Sequence, residues 1–302
     1  MKKLITALAL AILVAGTAYA ATNYYAQAES EAGTRTSNAT VVSDASASGG
    51  QAIEFTTGGG FQANCITVPS NCGYPDATNT GVPAGVTLTN SGSVTVNTNG
   101  AVIQNLRITD GQIIVNANNV TIRNVRITGC TYYPIDYASG RTGLVIEDTE
   151  IASDCPQTTA CMSFSNYTAR RVKCSGGSDG FKANSNVTIE DSYIYGLAVT
   201  QDSHNDGIQS TGGSNVTLRH NTIDTNTAGV AIQFGSADTG WLVTNNLVRA
   251  TGWAFNGGSG TANNVFTNNR FVRVPGWYGP ASLGGSGNTW SGNYYDDTGE
   301  GA

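Results

Sequence analysis

The sequence predicts an all-β fold, a single-stranded, right-handed parallel β-helix in which short coils stack into a solenoid. Three observations predict it. A strand–bend–strand segment recurs along most of the chain, starting at Val102, Val120, Leu144, Tyr167, Val187, Val216, Trp241, Asn264 and Asn288. Neighbouring starts lie no closer than 18 residues (102 to 120) and no further apart than 29 (187 to 216). Each segment alternates apolar and polar residues with period two, which leaves one buried face that a stacked neighbour must cover. Composition agrees with this. The chain has 38 Gly and only 12% charged residues, which suits many short strands and turns better than long surface helices. A β-sandwich would instead show hairpin spacing of about 8–12 residues.

In chain order, residues 1–20 read as a signal peptide. Lys2 and Lys3 form its positive end, Leu4 to Val14 its apolar run, and Ala18-Tyr19-Ala20 a small-x-small cleavage site. The expectation is a secreted protein, extracellular or periplasmic, with no membrane insertion after cleavage. Removing Lys2 and Lys3 from 15 basic residues leaves 13 against 21 acidic ones, a mature charge of −8. No basic patch is visible, so nucleic acid and anionic membranes are poor partners.

Residues 21–80 form a lead-in rich in Ala, Ser, Thr and Gly. Its last part, with Cys65 and Cys72 closing a small loop, is placed to cap an open end of the coil stack. Residues 81–302 are the β-helix domain. Its bends carry Asn, Asp and Gly, which tolerate left-handed backbone and turn the chain between sheets. The Asn-x-Thr triplets at Asn119, Asn166, Asn186 and Asn215 belong to this repeat. His220 aligns with the bend row and is read as a turn residue. Arg170, Arg171 and Lys173 align one coil away from Glu147, Glu150 and Glu190, where they face solvent or pair with them.

Six Cys in an exported chain point to disulfides, and no CxxC spacing suggests zinc. For Cys130, Cys155, Cys161 and Cys174 three pairings are open.

A second aligned row carries the chemistry. Asp136, Ser163, Lys182, Gln209, Gln233 and Asn256 each follow an apolar residue and mostly precede one, so they point outward from one sheet, at about 4.8 Å per coil. Such a ladder lines a groove for an extended polysaccharide, with Asp136, Gln209, Gln233 and Asn256 as substrate-binding rungs. Asp179-Gly180 and Asp206-Gly207 lead into two of the rungs, each with a tight bend that projects the carboxylate. Only two Lys (Lys173, Lys182) and two His (His204, His220) follow residue 20. Lys182, His204, Asp206 and Asp179 therefore form the candidate catalytic group. Lys182 would neutralise a substrate carboxylate or act as a base, His204 would act as acid or base, and Ca²⁺ is an optional bridge held by Asp179 and Asp206. Tyr132, Tyr133, Tyr137, Trp253, Trp277 and Tyr278 sit at turns or strand ends, as sugar platforms or as core cover.

The repeat, the Asn-containing bends and the Asp-Gly rungs resemble the pectate-lyase-like right-handed parallel β-helix superfamily over roughly residues 82–297. That resemblance implies the fold and a choice among polysaccharide lyases, glycoside hydrolases, epimerases, esterases, tailspikes and adhesins. The chain departs from two of the superfamily's signatures. Arg273-Val274-Pro275 begins an Arg-x-Pro-x-x-Arg pattern, but Tyr278 stands where the second Arg belongs. Asn205-Asp206-Gly207 is similar to one polygalacturonase motif, while the only Asp-Asp is Asp296-Asp297. The leading expectation is a lyase acting on uronic-acid-containing glycan. The alternatives are hydrolysis through Asp136, Asp179 and Asp206, or a non-enzymatic surface or glycan-binding rod.

Overall fold

The computed structural model describes residues 39–43, 51–55, 61–153, 155, 157–199, 205–225 and 229–302. The 1–20 segment and His204 lie outside them. Residues 1–62 and 63–302 form two compact units. In the first, strands Ala39–Ser43 and Gln51–Phe55 pair antiparallel.

The second unit is the solenoid. Its strands fall into a 17-stranded and a 9-stranded sheet, with parallel pairing throughout. A typical coil contributes Asp179–Lys182 to the smaller sheet, then Val187–Glu190 and Tyr193–Tyr195 to the larger. Between strands the chain turns on left-handed residues. One row is Asn119, Asn166, Asn186 and Asn215, and the other is Asn105, Asn124, Asp148, Arg171, Asp191, His220, Asn245 and Asn268, all with φ between 50° and 63°. Asn tolerates this region best among residues with a Cβ, which is why it dominates the bends. The outer Asn side chains also bond coil to coil, Asn186 to Asn166 at 3.0 Å and Asn215 to Asn186 at 2.8 Å.

Register stacks like on like. Ile122, Ile146, Ala169, Ile189, Leu218, Val243 and Phe266 form one inward column, and all are fully buried. Ile135, Met162, Phe181, Ile208, Ile232 and Phe255 face them from the smaller sheet. Burying each such side chain is worth about 1.5–3 kcal/mol, so the column is the main source of cohesion.

A second ladder runs inside the turn. Where a coil carries two adjacent bend residues, the first is left-handed and the second points inward. Asn221, Asn246 and Asn269 are fully buried. Each donates its side-chain NH₂ to a carbonyl of the preceding coil, and its side-chain oxygen accepts from a backbone N–H of that coil. The chain closes these otherwise unpaired backbone groups with side chains instead of water.

The six Cys pair as Cys65–Cys72, Cys130–Cys155 and Cys161–Cys174. The first is the expected loop. The other two choose one of the three open pairings. Cys161–Cys174 lies within the core between the two sheets, both residues being at most 1% exposed.

Residues 64–81 run along one flank of the solenoid as a strap, bonding to its middle and last coils. The amides of Cys65 and Ile66 bond the Asp296 carboxylate at 3.0 and 3.3 Å. Tyr74 stacks on His220 with ring centres 5.6 Å apart, and Gly81 bonds the Arg171 carbonyl at 2.8 Å. His220 keeps the bend position expected of it (φ 54°). Its Nδ1 lies 2.6 Å from Asp191 and its Nε2 2.8 Å from the Gly73 carbonyl. It is therefore also a clasp for the strap. His220→Ala is expected to weaken the clasp by about 1–2 kcal/mol, read as faster hydrogen exchange of the Cys65 to Gly81 amides. Unchanged exchange there would contradict the role.

Of the two readings left open, pairing holds for Lys173 with Glu150 and Arg170 with Glu190, whereas Arg171 pairs mainly with Asp148, which was not among the expected partners, and reaches Glu147 only at 3.9 Å. Lys173 meets Glu150 at 2.9 Å, Arg171 meets Asp148 at 2.6 Å, and Arg170 and Arg219 both hold Glu190. Burial raises the Glu190 pKa, but hydrogen bonds from the two guanidinium groups outweigh it and hold the carboxyl below its ordinary value.

Candidate functional site

The polar row lies on the smaller sheet in the order read from the sequence. Lys182 is in register with Gln209, Gln209 with Gln233, and Gln233 with Asn256. Asp136 and Ser163 precede them, flanking the Ile135–Met162 and Met162–Phe181 pairs. Gln233 and Asn256 link amide to amide at 2.8 Å.

The row is not an open ladder throughout. Ser163 is 1% exposed and Lys182 7%. The Ser163 hydroxyl has no hydrogen-bond partner among the described residues. Tyr133 and Phe164 meet edge to face at 5.6 Å, and Tyr132 meets Tyr133 at 4.9 Å. These rings come from the turns on either side of the strand pair, and period-two reading of a strand cannot anticipate what neighbouring turns lay across it.

Lys182, Asp179, Asp206 and Gln209 close into one network. The Lys182 ammonium donates to the Asp179 carboxylate and to the Gln209 side-chain oxygen. The Gln209 amide donates to Asp206 at 2.9 Å, and the Asp206 backbone N–H donates to Asp179 at 3.0 Å. Asp179 and Asp206 are buried at 3% and 2% exposure. Burial first, and the neighbouring Asp179 charge second, push the Asp206 pKa up to about 7, against hydrogen bonding from Gln209 and attraction to Lys182. The site thus holds one carboxylate neutralised by an ammonium and one carboxyl poised near neutrality. With its charge held by Asp179, Lys182 is a positioning group in this network and not a free cation for a substrate.

The glycines after the two Asp have a different cause from the one expected. Neither Gly180 nor Gly207 has positive φ, so no tight left-handed bend follows either Asp. A Cβ on Gly180 would lie 2.3 Å from the Gly207 carbonyl oxygen and 2.6 Å from Ile194. One on Gly207 would lie 2.4 Å from Ile223 and 2.7 Å from the Ala231 oxygen. The coils pack so closely beneath the carboxylates that only glycine fits.

The expected calcium bridge finds little support in the donor set. Ca²⁺ takes six to eight oxygens, whereas Asp179 already receives Lys182, and no group of three or more His, Cys, Asp or Glu converges among the described residues.

Sequence reading passed over Arg141 and read Tyr133 only as an aromatic platform or core cover, not as an acid. Tyr133 lies close enough to feel Asp136 and Asp179. Burial, then Tyr132 and these carboxylates, push its pKa up to about 12, so its phenol stays a proton donor. Arg141 lines a cavity of about 500 Å³ beside Asp136 and Phe164. Neither stands in the aligned row, and only the folding of turns against it brings them near.

A solenoid of stacked parallel coils with a polar row on one sheet defines the class. The family model described as "Right handed beta helix region" matches residues 110–271, more than half of the chain, and the chain belongs to that family. No curated protein and no solved structure matches it. Three disulfides point to an oxidising environment. Among the described residues no helix is long and apolar enough to cross a membrane.

Proposed function

We propose that this chain is a secreted carbohydrate-active enzyme of the pectate-lyase-like kind, a polysaccharide lyase that cleaves an extended glycan containing uronic acid. The observation that carries this reading is Asp206, a carboxyl with a pKa near 7 at the edge of an outward polar row. β-Elimination needs a base for the proton beside the substrate carboxylate and an acid for the leaving oxygen. Asp206 fits the base near neutral pH, and the protonated Tyr133 phenol fits the acid. Asp179, Lys182 and Gln209 hold Asp206 in place, and Gln233 and Asn256 supply amide contacts along the polymer.

One observation favours a second reading, hydrolysis. Asp179 and Asp206 are two carboxyl groups whose environments differ, one paired with an ammonium and one raised by burial, which is how an acid and a base are divided in glycosidases.

Pectate, alginate and glycosaminoglycans, each with added calcium or with chelator, separate the readings. The expected result is rising ultraviolet absorbance from an unsaturated product on a uronate polymer, lost in Asp206→Asn. New reducing ends without unsaturation favour hydrolysis. No product on any of them, with binding unchanged by Lys182→Ala and His204→Ala, favours a non-enzymatic surface protein.

A further inference from the structure

We infer that the cavity beside Asp136 is a subsite for one carboxylated sugar ring, with Arg141 as its anion partner and Phe164 as its stacking platform. The inference rests on the glycan reading above and names the unit recognised. The cavity holds about 500 Å³, the size of a small-molecule site, and is lined by Asp136, Arg141, Phe164, Asn166 and Asn184 among others. It adjoins the polar row, since Asp136 is a rung and Asn184 follows Lys182 by two residues.

Each lining group has a distinct task. Arg141, in the exposed turn after the Ile135–Tyr137 strand, pairs with no carboxylate among the described residues, whereas Lys182 is held by Asp179. Its backbone is fixed, because Asn166 donates to the Arg141 carbonyl at 3.1 Å and is itself tied to Asn186. A guanidinium so placed binds a carboxylate through two parallel hydrogen bonds. Phe164 is 40% exposed and braced by Tyr133, so it offers a rigid apolar face to the C–H side of a pyranose. The Asn184 oxygen accepts from the Thr211 amide at 3.1 Å, which leaves its NH₂ for a sugar hydroxyl. Asp136 accepts from hydroxyls on the other side. A neutral sugar would leave Arg141 unpaired, and a bare anion would leave Phe164 unused.

Calorimetric titration of the full chain carrying Asp206→Asn, with a galacturonate oligosaccharide and a neutral galactose oligosaccharide of equal length, tests this. Adding Arg141→Gln should weaken uronate binding about tenfold or more, the effect of losing one charge-assisted contact, and leave neutral binding unchanged. Arg141→Lys should retain part of the affinity. Phe164→Ala should weaken both ligands. If Arg141→Gln leaves uronate affinity unchanged, or the uronate does not bind, the subsite is wrong. The glycan-cleaving reading is judged separately by turnover in the unmutated chain. Cleavage together with Arg141-independent binding removes only the subsite. Arg141-dependent uronate binding without cleavage removes only the enzymatic reading.

Discussion

Replacing Asn246 with leucine is expected to cost roughly 3–5 kcal/mol of stability, the range for breaking a buried hydrogen-bonded network. Asn246 is fully buried inside the turn. Its oxygen accepts from the Asn221 amide and side chain at 2.9 and 3.0 Å. Its NH₂ donates to the Leu218 carbonyl and to Asn269, each at 2.9 Å. Leucine keeps the volume but leaves these groups with neither protein nor water, and each orphaned group costs about 1–3 kcal/mol. The adjoining Asn245 is the control. It is exposed, with φ of 53°, so Asn245→Gly should change stability by well under 1 kcal/mol apart from its contact with Tyr74. Urea unfolding of both variants decides the matter. A loss below about 1 kcal/mol for Asn246→Leu would mean the inner ladder is not a source of stability.

Asp206→Asn is expected to abolish turnover and, at the same time, to make the fold more stable at about pH 8. The Asp206 carboxyl has its pKa raised from 3.8 to about 7 when folded. Between those values the folded protein holds a proton that the unfolded chain has released. Stability from this group is therefore full below about pH 4, falls as pH rises, and is gone above about pH 7. Asparagine removes the ionisation while keeping an oxygen for the Gln209 amide. The variant should match the parent near pH 4 and exceed it by up to a few kcal/mol near pH 8. Thermal unfolding across that range checks it. Parallel curves for the two proteins would show that Asp206 titrates as an ordinary carboxyl. Lys182→Ala should act in the opposite direction. It strands the Asp179 carboxylate, 3% exposed, and removing one partner of a buried pair costs about 3–5 kcal/mol.

Much of this architecture is legible in one dimension because a solenoid repeats its local rules. Period-two alternation places Lys182, Gln209, Gln233 and Asn256 on one face, and register carries that assignment from coil to coil. Bend chemistry marks Asn119, Asn166, Asn186 and Asn215 as turn residues, since few others accept left-handed backbone. The inward turn of Asn246, beside the outward Asn245, is less visible. The two residues are identical, and only the carbonyls left unpaired inside the turn distinguish them.

The coil, its bends, the Cys65–Cys72 loop and the polar row can be read from the order of residues. These come from contacts between residues close in the chain or one repeat apart. Which cations are free emerges only when the coils stack. Asp179 neutralises Lys182 and Arg141 remains unpaired among the described residues, because side-chain partners are set by distances between turns. The same stacking decides that Asp206 is poised near neutrality, because a carboxyl's pKa depends on what buries it, and that burial comes from coils stacked above and below.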